Sequence, residues 1–309
     1  MDKGFTRFLF WLGIIAVLTA CAMGIWVALG GDSSSTLSLK WLQFLQTTAT
    51  FALPPILCAW VWSEGHRPFQ WLRLDRGISW QMALLAIGIM VCAIPAINLL
   101  ADLNSRIVLP KSLESIEQIL RQQEEAAAAL TERFLKTDSF GGLLINIGLM
   151  ALLPAFAEEL SFRGTLQQII SYSEHSERSY SDSGLTAKRS YSRRRSAVAI
   201  WLTAIIFSAI HMQFYGFIPR MLMGAMFGYI FVWTGSLWAP VLMHFTNNGI
   251  AVIAYYISDE IGGNGTNYAD TFGAGTSWWI GVISLVVVVA LLWITSRDPQ
   301  GFVRRTRKE

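Results

Sequence analysis

The chain has 309 residues, of which 53% are hydrophobic and 15% charged, with a mean hydropathy of +0.43. That composition is too apolar for a water-soluble domain of average make-up and points to an all-α, polytopic membrane protein. The net charge of +3 excludes little, because orientation in a bilayer follows where Lys and Arg fall; no nucleotide motif is present, and the basic loop suits topology better than nucleic acid.

In chain order, apolar spans are expected at about Phe5–Gly30, Trp41–Trp62, Trp80–Ala101, Phe140–Ile170, Ala197–Met212, Phe214–Trp233, Leu237–Ile257 and Trp278–Thr295, eight helices in all. The first follows Lys3 and Arg7 and passes through Leu18-Thr19-Ala20-Cys21, the pattern of a lipoprotein signal. Ala22 to Leu29 stay apolar, however, and the run is long enough to cross a membrane. Cys21, Cys58 and Cys92 fall inside apolar runs without CxxC spacing and read as small hydrophobes. Pro54-Pro55, Pro95 and Pro154 should kink the second, third and fourth spans. Pro219 and Pro240 sit near helix starts, where proline is tolerated.

The basic residues sort to one side of this layout, from Lys3 and Arg7 through Arg67, Arg73 and Arg76 and the loop ending Arg193-Arg194-Arg195 to the tail Arg304 to Lys308. Both termini are therefore expected in the cytoplasm, in a plasma membrane of bacterial type. Three regions follow: 1–139, three spans and a long outer connection; 140–257, a polar-motif core with a cytoplasmic loop at 171–195; and 258–309, an outer loop, the last span and a basic tail. Within the outer connection, Leu113, Ile116, Ile119, Leu120, Leu130 and Phe134 recur at near-helical spacing, with a capping box expected at Ser115 and Gln118. The expected element is an amphipathic surface helix. The loop 171–195 is Ser-, Tyr- and Arg-rich and should be flexible. Asn264-Gly265-Thr266 is a glycosylation sequon only where the host modifies that side.

Glu158-Glu159-Leu160-Ser161-Phe162-Arg163 places three formal charges at the end of an apolar run. Each costs roughly 2.5–3.5 kcal/mol near the centre of a bilayer on insertion scales, so the cluster needs a purpose. On a helix, Glu159 and Arg163 share a face with the acid N-terminal to the base, the better order for pairing. Glu158 points about 100° away and is the carboxylate left for work as a general base. A helix-packing network explains these residues equally well at this point.

Two of the four histidines lie in apolar stretches, His211 four residues after Phe207 and His244 four before Asn248. A lone intramembrane His is more often a packing residue, but a Glu, two His and an Asn on three helices form a hydrolytic set. Glu158-Glu159-x-x-x-Arg163, Phe207-x-x-x-His211 and His244-x-x-x-Asn248, with the Phe162-Arg163-Gly164 and Gly235-Ser236-Leu237-Trp238-Ala239-Pro240 contexts, resemble the CAAX prenyl protease and bacteriocin-processing family, CPBP or Abi. The resemblance covers about Phe140–Ile257 and does not extend to the first three spans; the loop 171–195 is longer than the short link the family suggests.

The resemblance implies an intramembrane endopeptidase, a protease and hydrolase acting on a peptide or a membrane-anchored, including prenylated, protein. Glu158 and His211 would activate water, His244 and Asn248 would hold the oxyanion, and Glu159, Arg163 and Phe207 would support the site. The family is often labelled metalloprotease, and Glu158, His211 and His244 are the set that would hold Zn2+; with no HExxH pair, metal-independent water activation is the favoured expectation and no cofactor is assigned. One geometric difficulty follows from straight helices: Glu158 and His211 would differ in depth by ~10 Å, so bending must bring them together. The competing readings are a transporter that uses the same groups as an ion path, and a non-catalytic scaffold.

Overall fold

The computed structural model describes residues 3–63, 65–171, 193–260 and 272–297. Most of the expected loop 171–195, the sequon at Asn264 and the tail beyond Arg297 lie outside the described residues. The chain is all-α. Helices α1 (Lys3–Ala28), α2 (Thr36–Trp62), the short α3 (Pro68–Trp71), α4 (Trp80–Ser105), α5 (Glu114–Leu135), α6 (Phe140–Ser171), α7 (Arg193–Ala209), α8 (Phe217–Thr234), α9 (Trp238–Glu260) and α10 (Trp278–Arg297) follow in order. Serines open three of them: Ser35, Ser79 and Ser139 accept from the amides of Ser38, Met82 and Gly142, which would otherwise be orphaned. Gly235 closes α8 in the left-handed conformation at φ 64°.

Among the described residues six helices, not eight, are long and apolar enough to cross a membrane: α1, α2, α4, α6, α8 and the helix ending at Arg297. The two expected spans that fall short do so for different reasons. In α7 the apolar part is only Ser196–Ala209, because the chain turns before Met212. Helix α9 has 23 residues, but His244, Thr246, Asn247 and Asn248 interrupt its apolar sequence.

Prolines and wide turns shape α2 and α6. Leu53 N–H bonds the carbonyl of Thr48, and Leu153 N–H that of Gly148, five residues back in each case, immediately before Pro54 and Pro154. A proline ring collides with the carbonyl four residues earlier, and widening the preceding turn to a π-turn relieves the clash without breaking the helix. A further π-turn, Phe162–Leu166, contains Arg163. Pro95 lies inside α4.

Packing centres on α6. Its Leu160 joins Ala59, Trp71, Leu72, Phe231, Leu237 and Val241, while its Phe162, Leu166 and Ile169 join Trp11, Cys58 and Phe207. Leu143 and Ala151 meet Leu135 and Val252. A separate core of Met82, Ala86, Ile89, Met90, Phe227, Ile230, Met243 and Val288 ties α4, α8, α9 and α10. Phe5, Val17, Leu29, Val286 and Trp293 point outward, as expected where lipid replaces water. Cys21, Cys58 and Cys92 are free thiols.

Helix α5 runs along the exterior. Phe134 and Leu135 are buried, whereas Ile116, Ile119 and Leu130 are exposed; its apolar stripe therefore faces outward, the arrangement of a helix lying in a headgroup layer. The expected capping box does not form. A 3₁₀ turn at Lys111–Leu113 starts the helix at Glu114, so Ser115 is already inside the first turn. The N-terminal amide of the connection, Leu109 N–H, is taken by Glu117 Oε2 at 2.8 Å.

Candidate active site

Glu158 and Glu159 lie in the α-helical turn that follows Pro154, and Arg163 in the π-turn after it. Arg163 Nη1 donates to Glu159 Oε1 at 2.7 Å, with neither side chain exposed. Its Nη2 donates to the carbonyl of Gly224 in α8 at 2.9 Å. The guanidinium carbon lies over the rings of Phe207 and Phe227, at 4.8 and 5.3 Å from their centroids. A desolvated cation is thus held by a carboxylate, a carbonyl and two aromatic faces, each of which lowers the cost of burying it.

Glu159 has a second task. Its Oε1 also takes a bond from His244 Nδ1 at 3.0 Å, which assigns the Nδ1 proton and turns the other ring nitrogen toward Glu158. His244 Nε2 is 4.0 Å from Glu158 Oε2. The imidazole stacks on Phe227, with centroids 5.4 Å apart and planes 29° apart. Glu158 keeps 15% of its side chain exposed, so it is the carboxylate of the pair that water reaches.

His211 is not in a helix, contrary to expectation. Helix α7 ends at Ala209, and the chain turns through Ile210 and His211 to Met212, whose φ of 54° is left-handed. His211 Nδ1 lies 2.8 Å from the Phe207 carbonyl. A carbonyl only accepts, so Nδ1 carries the proton and Nε2 is left with its lone pair. The Phe207 ring meets both imidazoles edge-on, at 5.3 Å from His211 and 6.0 Å from His244. This ring bridges the two histidines, and α6 and α7 are not the straight rods assumed: α6 widens before Pro154 and α7 ends at Ala209. The structure therefore brings Glu158, Glu159, Arg163, Phe207, His211 and His244 into one cluster. Asn248 lies one turn beyond His244 on the same face of α9, where its Oδ1 accepts from Asn247 Nδ2 at 3.1 Å.

Three contributors were not singled out by sequence. Gly224 acts through its backbone oxygen, and its missing side chain leaves room for Phe207, whose Cδ1 would lie 3.1 Å from a Cβ there; a carbonyl has no sequence signature. Phe227 looks like any buried aromatic until His244 is found beneath it. Arg220 lies one turn before Gly224, a spacing that a helical projection of α8 would have drawn out.

The zinc alternative can be tested on the donor atoms. Glu158 Oε2 and His244 Nε2 are 4.0 Å apart, which two zinc bonds of about 2.0 Å span only in a straight line rather than at a tetrahedral angle. Among the described residues no three His, Cys, Asp or Glu side chains group to hold an ion. The arrangement does not fit a three-ligand zinc site, and no step is assigned to a metal.

No curated protein and no solved structure matches the chain. Residues 140–250 match the family profile described as Rce1-like, type II CAAX prenyl endopeptidase. That stretch contains every polar group of the cluster. The site therefore lies wholly within a segment that matches the Rce1-like CAAX prenyl endopeptidases, a match that supports an intramembrane endopeptidase function.

Proposed function

We propose that the chain hydrolyses a peptide bond of a peptide or membrane-anchored protein, prenylated substrates included, using a water activated by Glu158 and His211. The observation that carries this reading is the water-reachable Glu158 carboxylate beside His244, next to the fully buried Glu159–Arg163 pair. Glu158 takes a proton from the water as its oxygen attacks the carbonyl carbon, and His211, with its Nε2 lone pair available, shares that role. In the form that carries a proton on each ring nitrogen, His244 donates Nδ1–H to Glu159 and Nε2–H to the developing oxyanion throughout the step, with the Asn248 amide completing the donors. The abstracted proton passes to the leaving nitrogen as the C–N bond breaks. Glu159, Arg163 and Phe207 hold this geometry.

The setting is a bacterial-type plasma membrane with both termini cytoplasmic. The decisive comparison is membranes containing wild type, Glu158→Gln or His211→Ala at equal levels, with the proteome read for uncleaved precursors. Each variant should lower cleavage by about 10²–10⁴-fold, the usual worth of a positioned acid–base group. Chelator treatment should leave cleavage intact. Unchanged processing in both variants would favour the scaffold, and loss of ion flux instead of cleavage the transporter.

A further inference from the structure

Arg220 takes no part in the chemistry described above, yet it shares a face of α8 with Gly224, whose carbonyl receives Arg163, and lies on the helix that sends Phe227 under His244. It therefore stands in the wall of the site, one turn from the Glu159–Arg163 pair. Its charge acts on Glu158 and on Glu124 of α5.

The way Arg220 is held differs from the way Arg163 is held. Arg163 has a carboxylate in direct contact. Arg220 Nη2 donates to the neutral Gln213 Oε1 at 2.7 Å. Gln213 Nε2 in turn donates to Glu124 Oε2 at 3.2 Å, and Glu124 Oε1 accepts from Tyr215 N–H at 2.7 Å. The amide fixes the guanidinium without neutralising it. Meanwhile Nη1 is buried and has no hydrogen-bond partner. A buried, unpaired N–H of a charged group is costly, and the partner whose geometry suits a guanidinium edge is a carboxylate.

We propose that Arg220 binds a carboxylate of the peptide substrate, either the chain terminus or an acidic side chain, and so sets which bond lies against Glu158. The proposal rests on the proteolytic reading for the identity of the ligand as a peptide. Arg220 is then a specificity residue, and Gln213 and Glu124 keep its fork pointed at the ligand.

The test uses the full chain in phosphatidylcholine vesicles with three peptides of one sequence: a free C-terminal carboxylate, a C-terminal amide, and the amide with a Glu near the scissile bond. The free-acid or Glu-bearing peptide should exceed the plain amide in kcat/KM by about 10- to 100-fold, the worth of a charged hydrogen bond, with the difference in KM. Which of the two peptides gains identifies the source of the carboxylate. Arg220→Gln should bring the ratio close to one, and Arg220→Lys should retain part of it. Equal cleavage of all three peptides by wild type overturns the proposal, as does an Arg220→Gln variant that lowers all three by one factor; rates that follow phosphatidylglycerol content instead would assign Arg220 to lipid. Anisotropy of the labelled peptides on Glu158→Gln keeps the two readings separable: carboxylate-selective binding lost with Arg220, in a wild type that cleaves nothing, would retain this inference and sink the proteolytic one.

Discussion

Glu159 decides more of the site than its neighbour does, although it never meets water. One of its oxygens serves both Arg163 and His244, so the ion pair and the imidazole orientation stand or fall together. A buried pair contributes little net stability, but removing one partner leaves an uncompensated charge, at a cost of about 3–5 kcal/mol. Arg163→Ala should therefore destabilise the detergent-solubilised protein by about that free energy, read as a lowered denaturation midpoint, and abolish cleavage. Glu159→Gln keeps an acceptor for Arg163 and His244 but leaves the buried guanidinium without a counter-charge, and should likewise lower the midpoint. A midpoint for Arg163→Ala within experimental scatter of wild type would contradict the account. At this scale the sequence was partly readable: acids, a base and histidines stand out in an apolar chain because lipid tolerates so few of them. That Glu159 is shared was not readable, because the partner lies 85 residues away and only packing of α9 against α6 joins them.

Between elements, the outer helix α5 is the part most exposed to solution conditions. It is pinned at both ends: Arg133 donates to Thr36 and to the carbonyls of Ser33 and Ser34, and Glu117 accepts from Leu109 N–H and pairs with Arg121 at 2.7 Å. The Leu109 amide and the Arg121 guanidinium hold the Glu117 carboxyl below the usual carboxylate range. A carboxyl depressed in the folded state contributes to docking above its free value and loses that contribution as pH falls through the depressed one. Proteolysis within 109–138 should therefore be slow at neutral pH and rise as pH drops below the ordinary carboxylate range, and Glu117→Gln should flatten that profile. The amphipathic pattern announced this helix, whereas its start was misjudged at Ser115 because a 3₁₀ turn adds helical residues before the capping pattern. The π-turns were legible only as prolines: Pro154 predicts a disturbance, but whether a helix kinks or widens depends on what packs around it.

The bundle as a whole was readable because lipid imposes a length and a composition on any helix that crosses it. The count was not, since α9 spends its middle on site residues and α7 ends early. The last helix closes on α4 through glycines. A Cβ on Gly281 would lie 2.6 Å from both the Gly273 carbonyl and Leu99 Cβ, contacts no side chain accepts without displacement. Gly281→Val should destabilise by about 1–3 kcal/mol, read as a lowered denaturation midpoint, whereas Gly88→Ala, with nothing within 4 Å, should change it far less.

Helix α6 has 32 residues, about 48 Å at 1.5 Å per residue, against a hydrocarbon layer of about 30 Å. Such a helix either leans or protrudes, and each choice sets how far below the headgroups Glu158 rides. Acyl-chain length therefore becomes a control on turnover: in vesicles of graded thickness the rate should pass through a maximum where the mismatch of α6 is best relieved, so the host membrane itself tunes the enzyme.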